Sequence, residues 1–442
     1  MVYLRYTVLL LVMILSGCAS TVVIQNEAQE LTLSESSYSL KEVYGQREDT
    51  GVSIILAFSG GGTRAAALSY GVLLELRDTV SSAGNGQRQL LDDVKVISAV
   101  SGGSFTAAYY GLYGNQIFTD FESKFLYRNI EKEITDRLLS INRVLSPQSR
   151  GETARNVYRE FVFGDSTYAD MRRVNAPMIL INASDLSTGA RVSFVQDFFN
   201  LLCSNLNSMP VANAVAASAG VPVLFEPVVV ENYDTCDISP LVKTMERAKD
   251  NVDNQEISQA LSGIVKLAQD KEHYRYLHLV DGGITDNLGL RSLYEVVELH
   301  GGIKSFFKEM GRRSDSKSVL ISVDASTDAT YGIGLSEKEP NLQQTLNALT
   351  DIQLHRYNAS TIELIRKLFK SWNDALSTRD HRVDSYFVTV ALADIEDMED
   401  RAFFNQIPTS LNLMPEEVDR LIKAGRSLLR NNAEFQRLVK SL

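Results

Sequence analysis

Ser101 is the residue around which the chemistry of this chain can be organised. It closes the apolar run Val94-Lys95-Val96-Ile97-Ser98-Ala99-Val100 and is followed by Gly102, Gly103 and Ser104. A buried strand that turns sharply into a helix at a serine presents the hydroxyl on a strained elbow above the sheet. Such a turn needs small residues two places before and two places after the serine. Ala99 and Gly103 supply them, and Gly102 lets the turn tighten. The following helix aims its first amides back at the serine and favours developing negative charge. The same residues also read as a glycine-rich turn with Ser101 as a helix cap.

Two further stretches bear on that choice. Val52-Ser53-Ile54-Ile55-Leu56-Ala57-Phe58 enters Ser59-Gly60-Gly61-Gly62-Thr63-Arg64, and a helical pattern with Leu68, Val72, Leu73 and Leu76 follows. Three glycines between a strand and a helix bare their N–H groups on a concave turn, which makes an anion cradle. The Lys-Ser/Thr ending of a nucleotide loop is missing. Beside a serine elbow, Gly60, Gly61 and Gly62 fit an oxyanion hole for an acyl tetrahedral intermediate. Arg64, in the first helical turn, either holds the glycine loop in shape or is solvated. The third stretch is Tyr276-Leu277-His278-Leu279-Val280, which ends in Asp281-Gly282-Gly283. It reads as a parallel strand with a carboxylate at its C-terminal edge, where α/β sheets keep their sites. Asp-Gly is also a common turn signal.

In this order the three loops resemble the signature of the patatin-like phospholipases: Gly60-Gly61-Gly62-Thr63-Arg64, Ala99-Val100-Ser101-Gly102-Gly103 and Asp281-Gly282-Gly283, spread over roughly residues 51–325. Ser59 stands where the family often has Asp, and Ala65 and Ala99 stand where it has glycine. Asn287 and Gly289 fall where it often has Asn-x-Pro. The resemblance implies a three-layer α/β/α fold with a mainly parallel central sheet. It implies a Ser101–Asp281 dyad without histidine, an oxyanion hole at Gly60–Gly62, and support from Arg64, Gly103, Gly282 and Gly283. It also implies an acyl-enzyme intermediate and a phospholipid or other acyl-lipid substrate, with no metal and no cofactor.

Two other readings stay open at this level. One is a Ser-His-Asp α/β-hydrolase, whose histidine should follow the last core strand. Here His381 precedes the strand that begins near Ser385, and His355 lies inside a helical pattern. The other is a non-catalytic lipid-binding or scaffolding lipoprotein, against which the intact Ser101 and Asp281 argue.

The elements that must position these residues are those of an α/β chain. The 442 residues, 44% hydrophobic and 22% charged, suffice for one large domain with an extension. Strands are expected at 178–182, 191–195, 318–324 and 385–392. Residues 51–330 read as the phospholipase-like domain, and 331–442 as a mainly helical C-terminal extension with one strand. The net charge of −11 gives no footing for nucleic acid or for steering onto anionic membranes. Aromatics are dense between Phe105 and Phe163, and packing between helices is their commoner use.

Membrane attachment has to come from the N-terminus. Arg5 precedes an apolar run, Thr7 to Leu15, that is too short to span a bilayer and has the layout of an export signal. Leu15-Ser16-Gly17-Cys18 resembles the bacterial lipoprotein box. It implies a signal peptide over 1–17, lipidation of Cys18 and a periplasm-facing envelope protein. Ala19 after the cysteine implies the outer membrane. Residues 18–50 read as a polar tether. Cys203 and Cys236 either pair in an oxidising periplasm or remain buried thiols. The sequence names no protein partner.

Overall fold

Apolar runs that are buried from end to end make the central strands. The computed structural model describes residues 24–29, 37–81, 87–140, 149–222, 224–251, 255–327, 333–335 and 337–442. Residues 1–17, read from the sequence as a signal peptide, and Cys18 lie outside the described residues. Eight strands form the main sheet: β1 (Val52–Phe58), β2 (Val94–Val100), β3 (Met178–Asp185), β4 (Arg191–Ser193), β5 (Val228–Glu231), β6 (Tyr276–Asp281), β7 (Lys317–Asp324) and β8 (Asp384–Ala391). Their order is β8-β7-β1-β2-β3-β6-β5, with β4 also paired to β3. From β8 to β3 all neighbours are parallel. β6 is antiparallel to both β3 and β5, and β4 is antiparallel to β3. The helices that matter to the site are α1 (Gly62–Asp78), α2 (Gly102–Tyr113), α3 (Val211–Ser218), α4 (Arg291–Leu299), α5 (Leu342–Leu376) and α6 (Pro415–Asn431).

The alternation of β2 and β3 separates two helical layers, because successive side chains of a strand point to opposite faces. Ile179 faces α2, where a methyl group on Gly111 would sit 2.6 Å from its Cγ1. Ser98 faces the other way: its hydroxyl donates to Gly289 O at 2.5 Å and lies 3.0 Å from Ser292 Oγ at the start of α4. On that side Trp372 of α5 stacks on Tyr294 of α4, with ring centroids 5.7 Å apart. The α/β/α architecture expected from the sequence is therefore present. The aromatics after the elbow are core: Phe105 stacks on Phe125 at 4.2 Å and meets Tyr158 edge-on at 5.0 Å.

Two expectations need correction. The strand that ends in Asp281 is antiparallel to its neighbours, not parallel. A six-residue strand carries no mark of its direction; its connections set it. β3 runs past β2, so Val100 pairs with Asn182 while the next residues, Ala183 to Asp185, pair with Asp281 to Leu279. Asp281 thus arrives one register step from the elbow, coming from the opposite direction.

The described part of the 18–50 tether is folded. Tyr38 is fully buried, and its hydroxyl accepts from Ile179 N–H at 2.8 Å. Arg47 donates to the carbonyls of Asp92 and Val94 at 2.9 and 2.8 Å. Glu27–Ala28 pairs with Ser204–Asn205. One buried tyrosine among many polar residues is a weak sequence signal.

The region after residue 330 is mainly helical with one strand, as expected, and it packs on the core. β8 is a full edge of the sheet. α6 crosses α1 so closely that methyl groups on Gly71 and Gly425 would lie 2.2 and 2.3 Å from the carbonyl oxygens of Ile422 and Leu68. Arg430 closes the crossing with a two-pronged bond to the buried Glu75, at 2.7 and 2.6 Å.

Cys203 and Cys236 form a disulfide. In the chain-entropy picture a loop of this length is worth about 3–4 kcal/mol. A Cys203→Ser/Cys236→Ser protein is expected to unfold in urea with its stability lowered by about that amount, and to keep its folded-state activity.

Candidate active site

The site is assembled where β1, β2 and β6 end. Ser101 has φ 48° and ψ −120°. A non-glycine residue held there costs roughly 1–3 kcal/mol and persists only when its surroundings fix it. The fixing is visible. A methyl group on Gly103 would sit 2.7 Å from both Phe58 Cβ and Ser59 O. Gly103 N–H donates to Ser59 O at 3.2 Å. A methyl group on Gly102 would sit 2.0 Å from the Gly62 carbonyl oxygen and 2.5 Å from its nitrogen. Small residues are therefore required because the elbow and the glycine loop lie backbone against backbone.

Ser101 Oγ donates to Asp281 Oδ2 at 2.8 Å. The other carboxylate oxygen accepts from Gly283 N–H at 2.8 Å. Ser101 is 7% exposed and Asp281 9%. Burial pushes the Asp281 carboxyl up to about 6, against the lowering effect of the Gly283 and Ser101 hydrogen bonds. Gly282 is needed because a methyl group there would sit 2.3 Å from Asn182 O.

The glycine loop divides its amides between two jobs. Gly60 N–H donates to Asn287 O at 3.0 Å. The amides of Gly61 and Gly62 have no partner among the described residues. Gly61 (φ 135°) and Gly62 (φ 59°) hold backbone conformations that L side chains rarely adopt. The loop is held in place by Ser59, whose hydroxyl accepts from Ala325 N–H at 2.9 Å and donates to Gly60 O at 3.1 Å.

Arg64 is buried, which decides between its two sequence readings. Its guanidinium donates to Ala325 O at 2.8 Å, Ile407 O at 2.5 Å and Thr409 Oγ1 at 3.1 Å. The loop segment 407–410 also touches the glycine loop directly. Thr63 N–H donates to Ser410 O at 2.8 Å. A methyl group on Gly62 would sit 2.4 Å from the same oxygen. The C-terminal region is thus one wall of the glycine loop.

No histidine ring bonds to Ser101 or Asp281. His381 Nε2 lies 2.8 Å from Ser314 O, His355 Nε2 3.1 Å from Thr327 O, His300 Nδ1 2.8 Å from Glu309, and His273 Nδ1 2.8 Å from Asp270. His278 sits on an exposed position of β6. The triad reading has no histidine to use.

Sequence reasoning missed Asn287 as the acceptor that holds Gly60, and Asn182 and Ser218 as partners of the elbow. A polar residue ending an apolar strand (Asn182) and a serine ending an alanine-rich helix (Ser218) were the available signals. Neither names a partner across so long a separation in the chain.

A mutation at the elbow tests this packing. Gly102→Ala must push the Gly62 peptide aside; where the loop amides serve as the oxyanion hole expected from the sequence, displacing one donor typically costs about 100–1000-fold in rate. Acyl-ester hydrolysis by Gly102→Ala is expected to fall by that factor while the circular dichroism spectrum is retained.

A serine elbow, a buried carboxylate and the two unbonded amides of Gly61 and Gly62 thus lie together on the edge of a three-layer α/β/α sheet. The family model for patatin-like phospholipase matches residues 56–294, more than half of the chain, and the chain belongs to that family. No curated protein sequence matches it significantly. Among solved structures it is similar to human GIVD cytosolic phospholipase A2. That likeness has a TM-score of 0.47 and 13% identity over 96% of this chain and 66% of the phospholipase. The same enzyme in complex with methyl gamma-linolenyl fluorophosphonate gives a TM-score of 0.42 and 13% identity over 91% and 62% of the two chains. VipD from Legionella pneumophila gives 0.33 and 11% identity over 97% and 73%. The chain spans about two thirds of the length of the cytosolic phospholipase.

Proposed function

We propose that this protein is a lipid acyl hydrolase of the phospholipase A or lysophospholipase type, working through Ser101 and Asp281. The single observation that carries the reading is the 2.8 Å hydrogen bond from Ser101 Oγ to the buried Asp281 carboxylate, in a member of a phospholipase family. Asp281 takes the Ser101 proton as Oγ attacks the ester carbonyl carbon. The carbonyl oxygen becomes an oxyanion and is received by the amides of Gly61 and Gly62. Gly60 contributes by holding the loop, since its own amide is spent on Asn287. Collapse of the intermediate breaks the ester bond, and the leaving alkoxide takes the proton from Asp281. Water then attacks the acyl-enzyme with Asp281 as base, and the fatty acid leaves with Ser101 restored.

The substrate is a phospholipid or another acyl lipid reached from the membrane. The protein is held there by lipid on Cys18 and faces the periplasm from the outer membrane. Cys18→Ala is expected to move the protein from the membrane pellet to the soluble periplasmic fraction.

The deciding experiment is treatment of the purified protein with a fluorophosphonate, followed by peptide mass spectrometry and by fatty-acid release from phospholipid vesicles. A covalent adduct on Ser101 together with released fatty acid is expected. Folded protein that gives neither is a lipid-binding or scaffolding lipoprotein instead.

A further inference from the structure

Two of the three loops of the site are tied to the same point, the C-terminal turn of α3. The parallel ladder of β2 ends at Val100, and the elbow turns the next amide, that of Ser101, away from it. A buried backbone N–H needs an acceptor. Here it is a side chain: Ser101 N–H donates to Ser218 Oγ at 2.9 Å. The Ser218 hydroxyl donates its own proton to Asn182 O at 2.6 Å. That bond commits the hydrogen and leaves a lone pair directed at the Ser101 amide, so the fully buried hydroxyl has one orientation.

The backbone of the same turn holds the base. Gly282 N–H donates to Ser218 O at 3.1 Å, and Asp281 N–H donates to Gly220 O at 2.9 Å. Asn182 O, which takes the Ser218 proton, is also the atom against which Gly282 packs. Nucleophile, base and the β3 strand between them therefore all report to one residue.

We propose that Ser218 is a positioning residue for the dyad. Its hydroxyl fixes the backbone of Ser101 and its carbonyl fixes the backbone beside Asp281, so that residue sets the 2.8 Å contact between them. It bonds to neither Ser101 Oγ nor the Asp281 carboxylate. The kinetic part of this inference rests on the hydrolase reading above; the geometric part does not.

The test compares Ser218→Ala with Thr106→Val. Thr106 is an equally buried hydroxyl, on α2, that bonds only to Ala66 O at 2.9 Å and reports the generic cost of losing such a group. A small misplacement of reacting groups can cost on the order of 100-fold. Ser218→Ala is expected to lower kcat by about 10–100-fold with KM within about twofold, and to slow fluorophosphonate labelling of Ser101 by the same factor. Thr106→Val is expected to keep wild-type kcat. A crystal structure of Ser218→Ala is expected to show Ser101 Oγ out of hydrogen-bond reach of Asp281. Wild-type kcat in Ser218→Ala, an equal loss in Thr106→Val, or a retained 2.8 Å contact in the Ser218→Ala crystal each overturns the proposal. If the wild-type protein neither releases fatty acid nor reacts with the fluorophosphonate, the hydrolase reading fails, and the crystallographic comparison alone decides the role of Ser218.

Discussion

Ser101→Ala is expected to fold like the parent and to lose about 10⁴-fold or more of its acyl-ester hydrolysis. The size follows from what is removed. In the proposed mechanism Oγ is the atom that forms the acyl-enzyme, and alanine has no atom to take its place. The amides of Gly61 and Gly62 and the binding surface remain, so a residual acceleration of the order left by other triad knockouts is expected. Folding should survive because alanine keeps the Cβ, and the elbow is held by contacts that do not involve Oγ. Those contacts are the Ser218 bond to the amide and the packing of Gly102 and Gly103 on the glycine loop. The change also removes one of the two hydrogen bonds that offset the burial of Asp281, so the carboxyl should move further up. Fatty-acid release from vesicles, with circular dichroism as the folding control, measures the effect. Activity within tenfold of wild type would mean that another group carries the chemistry.

Much of this site was legible in the sequence because its logic is local. A serine between small residues, a triple glycine and an Asp-Gly-Gly each carry their reason for being in five or six residues, and each sits at the end of an apolar run. What was not legible is what lies between them. The direction of β6 depends on connections, not on Tyr276 to Asp281 themselves. The engagement of the Gly60 amide depends on Asn287, more than two hundred residues away in the chain. Arg64 could be read as solvated because its acceptors, Ala325, Ile407 and Thr409, lie in two distant loops. Tyr38 and Arg47 looked like part of a tether for the same reason: their partners are Ile179, Asp92 and Val94.

These long connections change how the chain divides. The family match ends at residue 294, yet β7 and β8 complete the parallel half of the sheet, and residues 407–410 support the glycine loop. A chain cut near residue 330 would lose the acceptors at Ile407 and Thr409 and leave a buried guanidinium only partly bonded. Unpaired buried charge is among the costlier defects a fold can carry. The C-terminal region is therefore part of the folded body that carries the site, whatever else it does.

Asp281→Asn separates activity from stability in opposite directions. In the proposed mechanism Asp281 is the base and must be ionised, and burial pushes its carboxyl from the ordinary 3.8 up to about 6. Wild-type kcat/KM is therefore expected to rise through about pH 6 and level off above it, standing about tenfold below the plateau one unit lower. An unperturbed carboxylate would leave the rate flat at that pH. Asp281→Asn should lose about 10⁴-fold and lose this limb with it. Stability runs the other way. Between 3.8 and about 6 the folded chain holds a proton that the unfolded chain has released, so stability falls as pH rises through that window and the cost is complete above it. Asparagine carries no charge to bury, so the variant should gain up to about 3 kcal/mol at pH 8. The gain should shrink toward pH 4 and vanish only below 3.8, where wild-type Asp281 is itself neutral in both states. Urea unfolding at pH 4, 6 and 8 alongside the pH–rate profile measures both. A gain that grows on acidification would show that Asp281 is held as a stabilised anion, and a base of that kind would leave no limb at pH 6.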